Sequence, residues 1–537
     1  MASSSSSSSS PNPTQLHLSP HATRTQKLPR TLPLRTPAAA LGGAVAGEDR
    51  SAPPRPRSMS SYVESLQNGT VPDPFTFPPL LKSLSDSNAL LEGETIHAHV
   101  VKMGFERDLY VRNNLIRLYA VCGDLVSAHN LFDQFPQRDV VSWTTLISGY
   151  SKMGLLERAI EVFLCMVDEG FAAADAVAIV AVLAACAKLG DLDLGRRVHR
   201  YVDSSRIKLD VFAWNALISM YAKCGDIDSA YKCFKKMPRR NVVSWNAMIS
   251  GFVRAGEFER ALSLFKRMQG EGIEPDDATL VGVLNSCTSL GALEMGRWVH
   301  VYVVRIGSKA DGVLGNALVD MYAKCGMIDH AMQVFDEMRK RDVYAYTSMI
   351  VGLAMHGRGE KALNLFDEML RVGISPNRVT FVGVLSACTH AGLVELGLRH
   401  FEDMSSVYNI TPQLEHYGCV VDMLGRAGYL DRAREFIGAM PVEPDAFIWG
   451  SLLGACKIHG EVAMGESVMK HLLTVENEED GSYVLLSNIY AANNRCHDSN
   501  RVRKAMRRKK VKKTPGCSSI EIDGVVHEFG VKKKMEA

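Results

Sequence analysis

Apolar positions recur along this chain with helical spacing. Trp245, Met248, Ile249 and Phe252 stand at i, i+3, i+4 and i+7, Gly256 interrupts, and Phe258, Ala261, Leu262, Phe265 and Met268 form a second stripe. Pro275 ends that stripe and resets the chain for the next pair. The pattern predicts two short amphipathic helices over 242–276. The segments 211–241 and 277–311 read the same way. Neither helix of such a pair can bury its stripe alone, so neighbouring pairs must stack. The predicted fold is an all-α, superhelical solenoid of stacked helix-turn-helix repeats with one continuous concave face.

A longer period overlies this one. YAVCGD at 119–124 returns as YAKCGD at 221–226, as YAKCGM at 322–327 and, eroded, as LGRAGY at 424–429. A period of about one hundred residues therefore comprises three helical pairs. Twelve cysteines follow the same register, with Cys122, Cys224 and Cys325 in one row and Cys186, Cys287 and Cys388 in another. Cysteines locked to a structural period read as small buried residues where helices pack closely. No CxxC pair exists, so no metal site is expected. His97, His199 and His300 each follow a repeat glycine (Gly93, Gly195, Gly296) by four residues and read as structural positions, not catalytic bases.

Composition adds three constraints. Apolar content of 46% is ample for burial, and only 7% of residues are aromatic. Net charge is +2, so any binding of nucleic acid must rest largely on specific contacts. The first 47 residues run from MASSSSSSSS into a Pro, Thr and Arg mixture with Arg24, Lys27, Arg30 and Arg35 and no acid before Glu48. That composition reads as an organellar transit peptide, with the serine run leaning to the chloroplast (plastid) over the mitochondrion. The alternative is a merely disordered N-terminus. No long apolar run predicts a membrane span.

On these residues the chain resembles the plant pentatricopeptide repeat proteins in which standard, long and short motifs alternate. After a leader at 1–57 and a partial repeat at 58–73, the array would occupy 74–445. Its long motifs would be 74–108, 176–210, 277–311 and a variant at 378–413. Short motifs would be 109–139, 211–241, 312–342 and a variant at 414–445, and standard motifs 140–175, 242–276 and 343–377. The segments AFIWGSLLGACKIHGEVAMGE from 446 and GSYVLLSNIYAANNRCHDSNRVRKAMRRKKVKK from 481 are similar to the two extension motifs of the editing-factor branch, spanning 446–513. A short box follows at 514–537.

The resemblance implies single-stranded RNA recognition, one base per repeat, read by the fifth and last residues of standard and short motifs. The pairs are Asn113 with Asp139, Thr144 with Asp175, Asn215 with Asn241, Asn246 with Asp276, Asn316 with Asp342 and Thr347 with Asn377. An extra alanine among Ala172 to Ala174 makes Asp175 a choice of register. Long motifs place Pro78, Val180, Val281 and Val382 at the fifth position, where no side-chain hydrogen bond to a base is available, so they would act as spacers. Gly418 with Asp445 is left unread. The implied site is 5′-NUGNYUNUANN. Second-position residues Val141, Phe212, Val243 and Tyr344 would clamp bases by apolar contact or stacking. For Asn215, Asn246 and Asn316 the competing role is capping of free amides at a helix start.

Relatives in this branch often continue into a cytidine-deaminase-like domain ending in Asp-Tyr-Trp, where HxE and CxxC hold zinc. This chain stops at Ala537 without a CxxC, and the HxE tripeptides at His400 and His459 fall inside repeat helices. The resemblance therefore implies no catalysis, no cofactor and no small-molecule substrate. It implies a site-recognition factor for organellar C-to-U RNA editing, recruiting a deaminase and accessory editing factors in trans. Organellar RNA processing, splicing or stability is the alternative, and a tetratricopeptide-like protein-interaction scaffold a second one. The basic run Arg501 to Lys513 reads as a solvated face, a nuclear signal, or an RNA phosphate or partner contact.

Overall fold

The computed structural model describes residues 56–134, 136, 138–170, 174–307, 310–475, 480–508, 511, 517–522 and 525–530. Nearly all of the expected leader, residues 1–55, lies outside them. Among the described residues there are 27 α-helices, mostly 9 to 14 residues long and joined by short turns. After Met59–Gln67 they pair into hairpins, beginning with Phe77–Asp86 and Leu90–Lys102 and ending with Asp480–Ala492 and Cys496–Arg508. The all-helical solenoid expected from the apolar pattern is what forms.

The first helix of each hairpin packs against the first helices before and after it, and the second helix fills the outer layer. In the hairpin of Val242–Arg254 and Phe258–Gly270, Trp245, Met248, Ile249 and Phe252 are buried as the pattern required. On the second helix the buried row is Ala261, Leu264, Phe265 and Met268, while Leu262 is only partly covered. The apolar side chains of all these hairpins, from Tyr62 to Tyr490, join one continuous core. No described helix is long and apolar enough to cross a membrane.

Five of the six residues of the recurring hexapeptide YAKCGD serve a junction, Lys223 being exposed. The Tyr221 hydroxyl lies 2.9 Å from His199 Nδ1 on the preceding outer helix, and Tyr119–His97 and Tyr322–His300 repeat the contact at 2.9 and 3.0 Å. Ala222 faces Gly251 so closely that a Cβ on the glycine would stand 2.9 Å from the alanine methyl. The Cys224 thiol points 3.7 Å from the Cys186 carbonyl of the previous hairpin. Gly225 turns the chain at φ 85°, a left-handed conformation that costs glycine little. Asp226 then caps the next helix by accepting from the Ser229 amide and pairs with Arg196 at 2.8 Å.

The two cysteine rows are embedded in this packing. Burial pushes the Cys186 thiol up to about 12 and the Cys388 thiol to about 11, far from reactive values. Among the described residues no group of three or more His, Cys, Asp or Glu side chains is placed to hold a metal. The two HxE histidines are packing residues: His400 stands edge-on to Phe366, with ring centroids 5.5 Å apart, and His459 Nε2 lies 3.0 Å from the Gly425 carbonyl.

To the helical array the C-terminal box adds a two-stranded antiparallel hairpin, Cys517–Ile522 against Val525–Gly530. The helical period carried no signal for it, because both strands together span only one short alternating segment.

Candidate nucleic-acid interface

The inner face of the array is built from the first helices, and helical geometry puts their second, fifth or sixth, ninth and thirteenth residues along it. The fifth-position residues sit inside the first turns. Asn215 is the fifth residue of Val211–Lys223, Asn246 of Val242–Arg254 and Asn316 of Gly312–Lys324. Helix capping therefore does not account for these three asparagines. Capping falls to their partners, which are the N-caps of the next helices. Asp139 accepts from the Ser142 amide, Asp175 from Ala178, Asn241 from Ser244, Asp276 from Thr279, Asp342 from Tyr344 and Ala345, and Asn377 from Thr380.

The cap also holds the fifth residue. Asn113 Nδ2 donates to both Asp139 oxygens at 3.1 and 3.0 Å, and Asn246 Nδ2 to both Asp276 oxygens at 2.8 and 3.0 Å. Asn316 Nδ2 reaches Asp342 at 3.1 Å, Asn215 Nδ2 reaches Asn241 Oδ1 at 3.4 Å, and Thr144 Oγ1 donates to Asp175 at 2.9 Å. The sixth pair is joined indirectly: Thr347 meets the Thr380 hydroxyl at 2.7 Å, and Thr380 donates to Asn377 Oδ1. Sequence reasoning missed this third member. Ser142 and Thr279 donate to the Oδ1 of Asn113 and Asn246, which turns the amide nitrogens towards the carboxylates. The signal was present as a capping box, Asp or Asn followed three residues later by Ser or Thr.

Hydrogen-bond donation draws the Asp276 carboxyl below the ordinary range. Partial burial opposes this as the largest single influence, but the Thr279 amide, Asn246 and the Thr279 hydroxyl together outweigh it. The cap and the Thr279 hydroxyl between them fix which way the Asn246 amide faces.

The second residues form an exposed apolar row. Val141, Phe212, Val243 and Tyr344 are 54, 73, 56 and 64% exposed. The row also includes Tyr110, Val177, Val313, Val379 and Phe447, which sequence reasoning passed over although the register alone would have found them. A row of large apolar side chains left in water at the same position of nine hairpins marks a contact surface. Between Val141 and Val177 lies a cleft of about 290 Å³ lined by Thr144, Asp175, Lys152 and Arg117 among others. Two slabs and a polar floor make a slot suited to a flat ring.

Pro78, Val180, Val281 and Val382 are all half-buried on the same face. Gly418 is roofed by Phe447, whose Cε1 would stand 2.8 Å from a Cβ built there. Thirteenth positions carry Lys152, Lys188, Lys223, Arg254, Lys324 and Arg426, all exposed. Lys324 pairs with Asp320 and Arg426 with Asp422. Of the basic C-terminal helix, Arg501 pairs with Asp498 and Arg503 donates to Ser487, while Lys504, Arg507 and Arg508 are exposed.

A single-chain helical-hairpin array whose groove carries polar pairs on two of every three hairpins between apolar slabs is the class defined by this geometry. Comparison with known proteins gives the family. Models of the PPR repeat family match residues 209–242, 240–289 and 341–390, the PPR repeat model matches 110–140, 141–171 and 316–343, and the E motif model matches 459–521. A pentatricopeptide repeat-containing protein of Arabidopsis thaliana is 43% identical over 471 residues, which cover 87% of this chain and 84% of the relative. A mitochondrial relative from the same plant is 40% identical (89% of this chain, 75% of the relative), and a chloroplastic one 42% identical (88% and 68%). The chain belongs to the pentatricopeptide repeat family, with an E-type C-terminal region. Among solved structures it is similar to the crystal structure of the pentatricopeptide repeat protein PPR10 in complex with an 18-nt psaJ RNA element, with a TM-score of 0.65 at 19% identity over 84% of this chain and 71% of that one.

Proposed function

We propose that the groove binds single-stranded RNA in a sequence-specific manner, with Asn113, Thr144, Asn215, Asn246, Asn316 and Thr347 reading one base each. The observation that carries this reading is the locked pair: a fifth-position donor oriented by the cap of the next helix and set between two exposed apolar side chains. A base sandwiched by the slabs would meet that donor edge-on, which is how repeat proteins read RNA. The solved relative PPR10 carries RNA on the same fold. The order of pairs gives the site 5′-NUGNYUNUANN. The direct test is a gel-shift series with Asn246→Thr, which loses preference for U at its one nucleotide while still binding; an unmoved preference overturns the reading.

The E motif supports a finer proposal. The protein acts as a site-recognition factor for C-to-U editing in an organelle, with the plastid favoured by its serine-rich leader and both organelles represented among relatives. The array supplies recognition, and a separate deaminase with accessory factors, docked on the extension helices, supplies the chemistry. A null mutant then loses a C-to-U event a few nucleotides 3′ of the site. Unaltered editing, with altered processing or abundance of one transcript, favours the processing role instead.

A further inference from the structure

The inner groove holds a second, larger cleft where no base contact was expected. It measures about 660 Å³ and is lined by Ser250, Val253 and Arg254 of the helix Val242–Arg254, by Asp277, Ala278, Val281, Gly282 and Asn285 of the helix Asp277–Leu290, and by Val313. Its register is that of the Thr144 cleft. Both use the ninth, twelfth and thirteenth residues of the preceding first helix, the second, fifth, sixth and ninth of their own, and the second residue of the next. What differs is bulk. The second residue is Ala278 where five other hairpins carry Val141, Val177, Val243, Val313 and Val379, and the sixth is Gly282 where the smaller cleft has Thr145.

We propose that the hairpin of Asp277–Leu290 and Leu293–Arg305 is not a spacer but takes a purine base of the RNA by size and apolar contact. Val253, Val281 and Val313 supply an apolar surface against which any base face can pack, and apolar contact of this kind is indifferent to base edges. The space left open at the exposed Ala278, where a valine stands in five other hairpins, admits the second ring. Asn285 and Ser250 put an amide and a hydroxyl on the lining, so the purine's Hoogsteen edge need not be left unpaired. The inference rests on the proposed RNA reading and sharpens the seventh letter of the site from N to R.

The test uses the full chain and five 11-nucleotide RNAs that are identical except at the seventh nucleotide, which is A, G, C, U or abasic. The wild-type protein is expected to bind the two purines at least about fivefold more tightly than the pyrimidines, with the abasic RNA weakest, the scale of one base-stacking contact. Ala278→Val installs the residue found at this position in five other hairpins and should remove the purine preference while leaving the preference for U at the eighth nucleotide, opposite Asn316, whose slot is walled by Val313 and Tyr344. Equal binding of all five RNAs would mean a spacer and overturn the proposal, as would a purine preference that survives Ala278→Val. Loss of base preference opposite Asn246 in the wild-type protein would instead overturn the reading on which this proposal rests.

Discussion

At the residue scale, the last residue of each pair carries a folding role and, on the proposed reading, a recognition role as well. Asp276 caps the helix Asp277–Leu290 and fixes the Asn246 amide at the same time. Asp276→Ala should therefore lower stability by about 1 kcal/mol, as lost caps do, and blur the base preference opposite Asn246. Asp276→Asn keeps the cap, as Asn241 and Asn377 show in their own hairpins, so its melting temperature should stay near wild type. Its preference should broaden from U towards C, because Asn with Asn is the pair at 215 and 241. Thermal melts combined with U-to-C competition in the gel shift check both arms, and a stable Asp276→Asn protein with an unchanged U preference would contradict the role given to the pair. The paired residues were named through the resemblance to the repeat family, whose motifs set their fifth and last positions. Their mutual hydrogen bonds were not, since a fixed spacing cannot say that the residue closing one hairpin is also the cap of the next.

At the scale of the element, junctions between first helices are tightened by glycine. Gly149, Gly251 and Gly352 face Ala120, Ala222 and Ala323, where an added Cβ would stand 2.8 to 2.9 Å from the alanine methyl. An alanine methyl moves only with its backbone, so Gly251→Val should cost about 1–3 kcal/mol by overpacking. Gly270, near the end of its helix with nothing within 4 Å of an added Cβ, is the control: Gly270→Ala should leave stability equal or higher. The His–Tyr contacts give the outer helices a pH response. Burial holds His97, His199 and His300 below the usual imidazole value, although Asp203 pulls His199 partly back. A histidine that folds neutral contributes fully above its unfolded pKa near 6.5, and that contribution is lost as pH falls below it. The melting temperature should drop between pH 7.5 and 5.5, and the triple variant His97→Gln, His199→Gln, His300→Gln should show a shallower drop from a lower starting point. The helices themselves were readable from apolar spacing, down to the buried face of the helix Val242–Arg254. The exchange of Leu262 for Leu264 on the second helix arose because both leucines fit an i+3 or i+4 step, and only the neighbouring hairpins decide which one is covered. The strands Cys517–Ile522 and Val525–Gly530 were not legible, since the repeat pattern that organises the rest of the chain gives no information about them.

At the scale of the whole molecule, a near-neutral chain displays a basic row along one groove. Among the described residues no carboxylate lies within ion-pair reach of Lys152, Lys188, Lys223 or Arg254, whereas Lys324 and Arg426 are neutralised by Asp320 and Asp422. Four free cations predict a modest salt dependence, with a slope of log Kobs against log salt of about −3 for a single strand. Lys188→Ala should weaken all RNAs alike and flatten that slope by about 0.7, leaving base preferences untouched. A titration over a range of salt concentrations reads both numbers, and a change confined to one sequence would assign Lys188 a different role. The dual duty of the closing Asp or Asn has a further consequence, which concerns ancestry. On the proposed reading, because each of those side chains also starts the neighbouring hairpin, mutation can explore new RNA targets at this position only within the small vocabulary of good helix starters. Duplicated hairpins can then diverge in the letter they spell while inheriting an intact scaffold, and the commonest viable drift is the one-atom exchange between aspartate and asparagine.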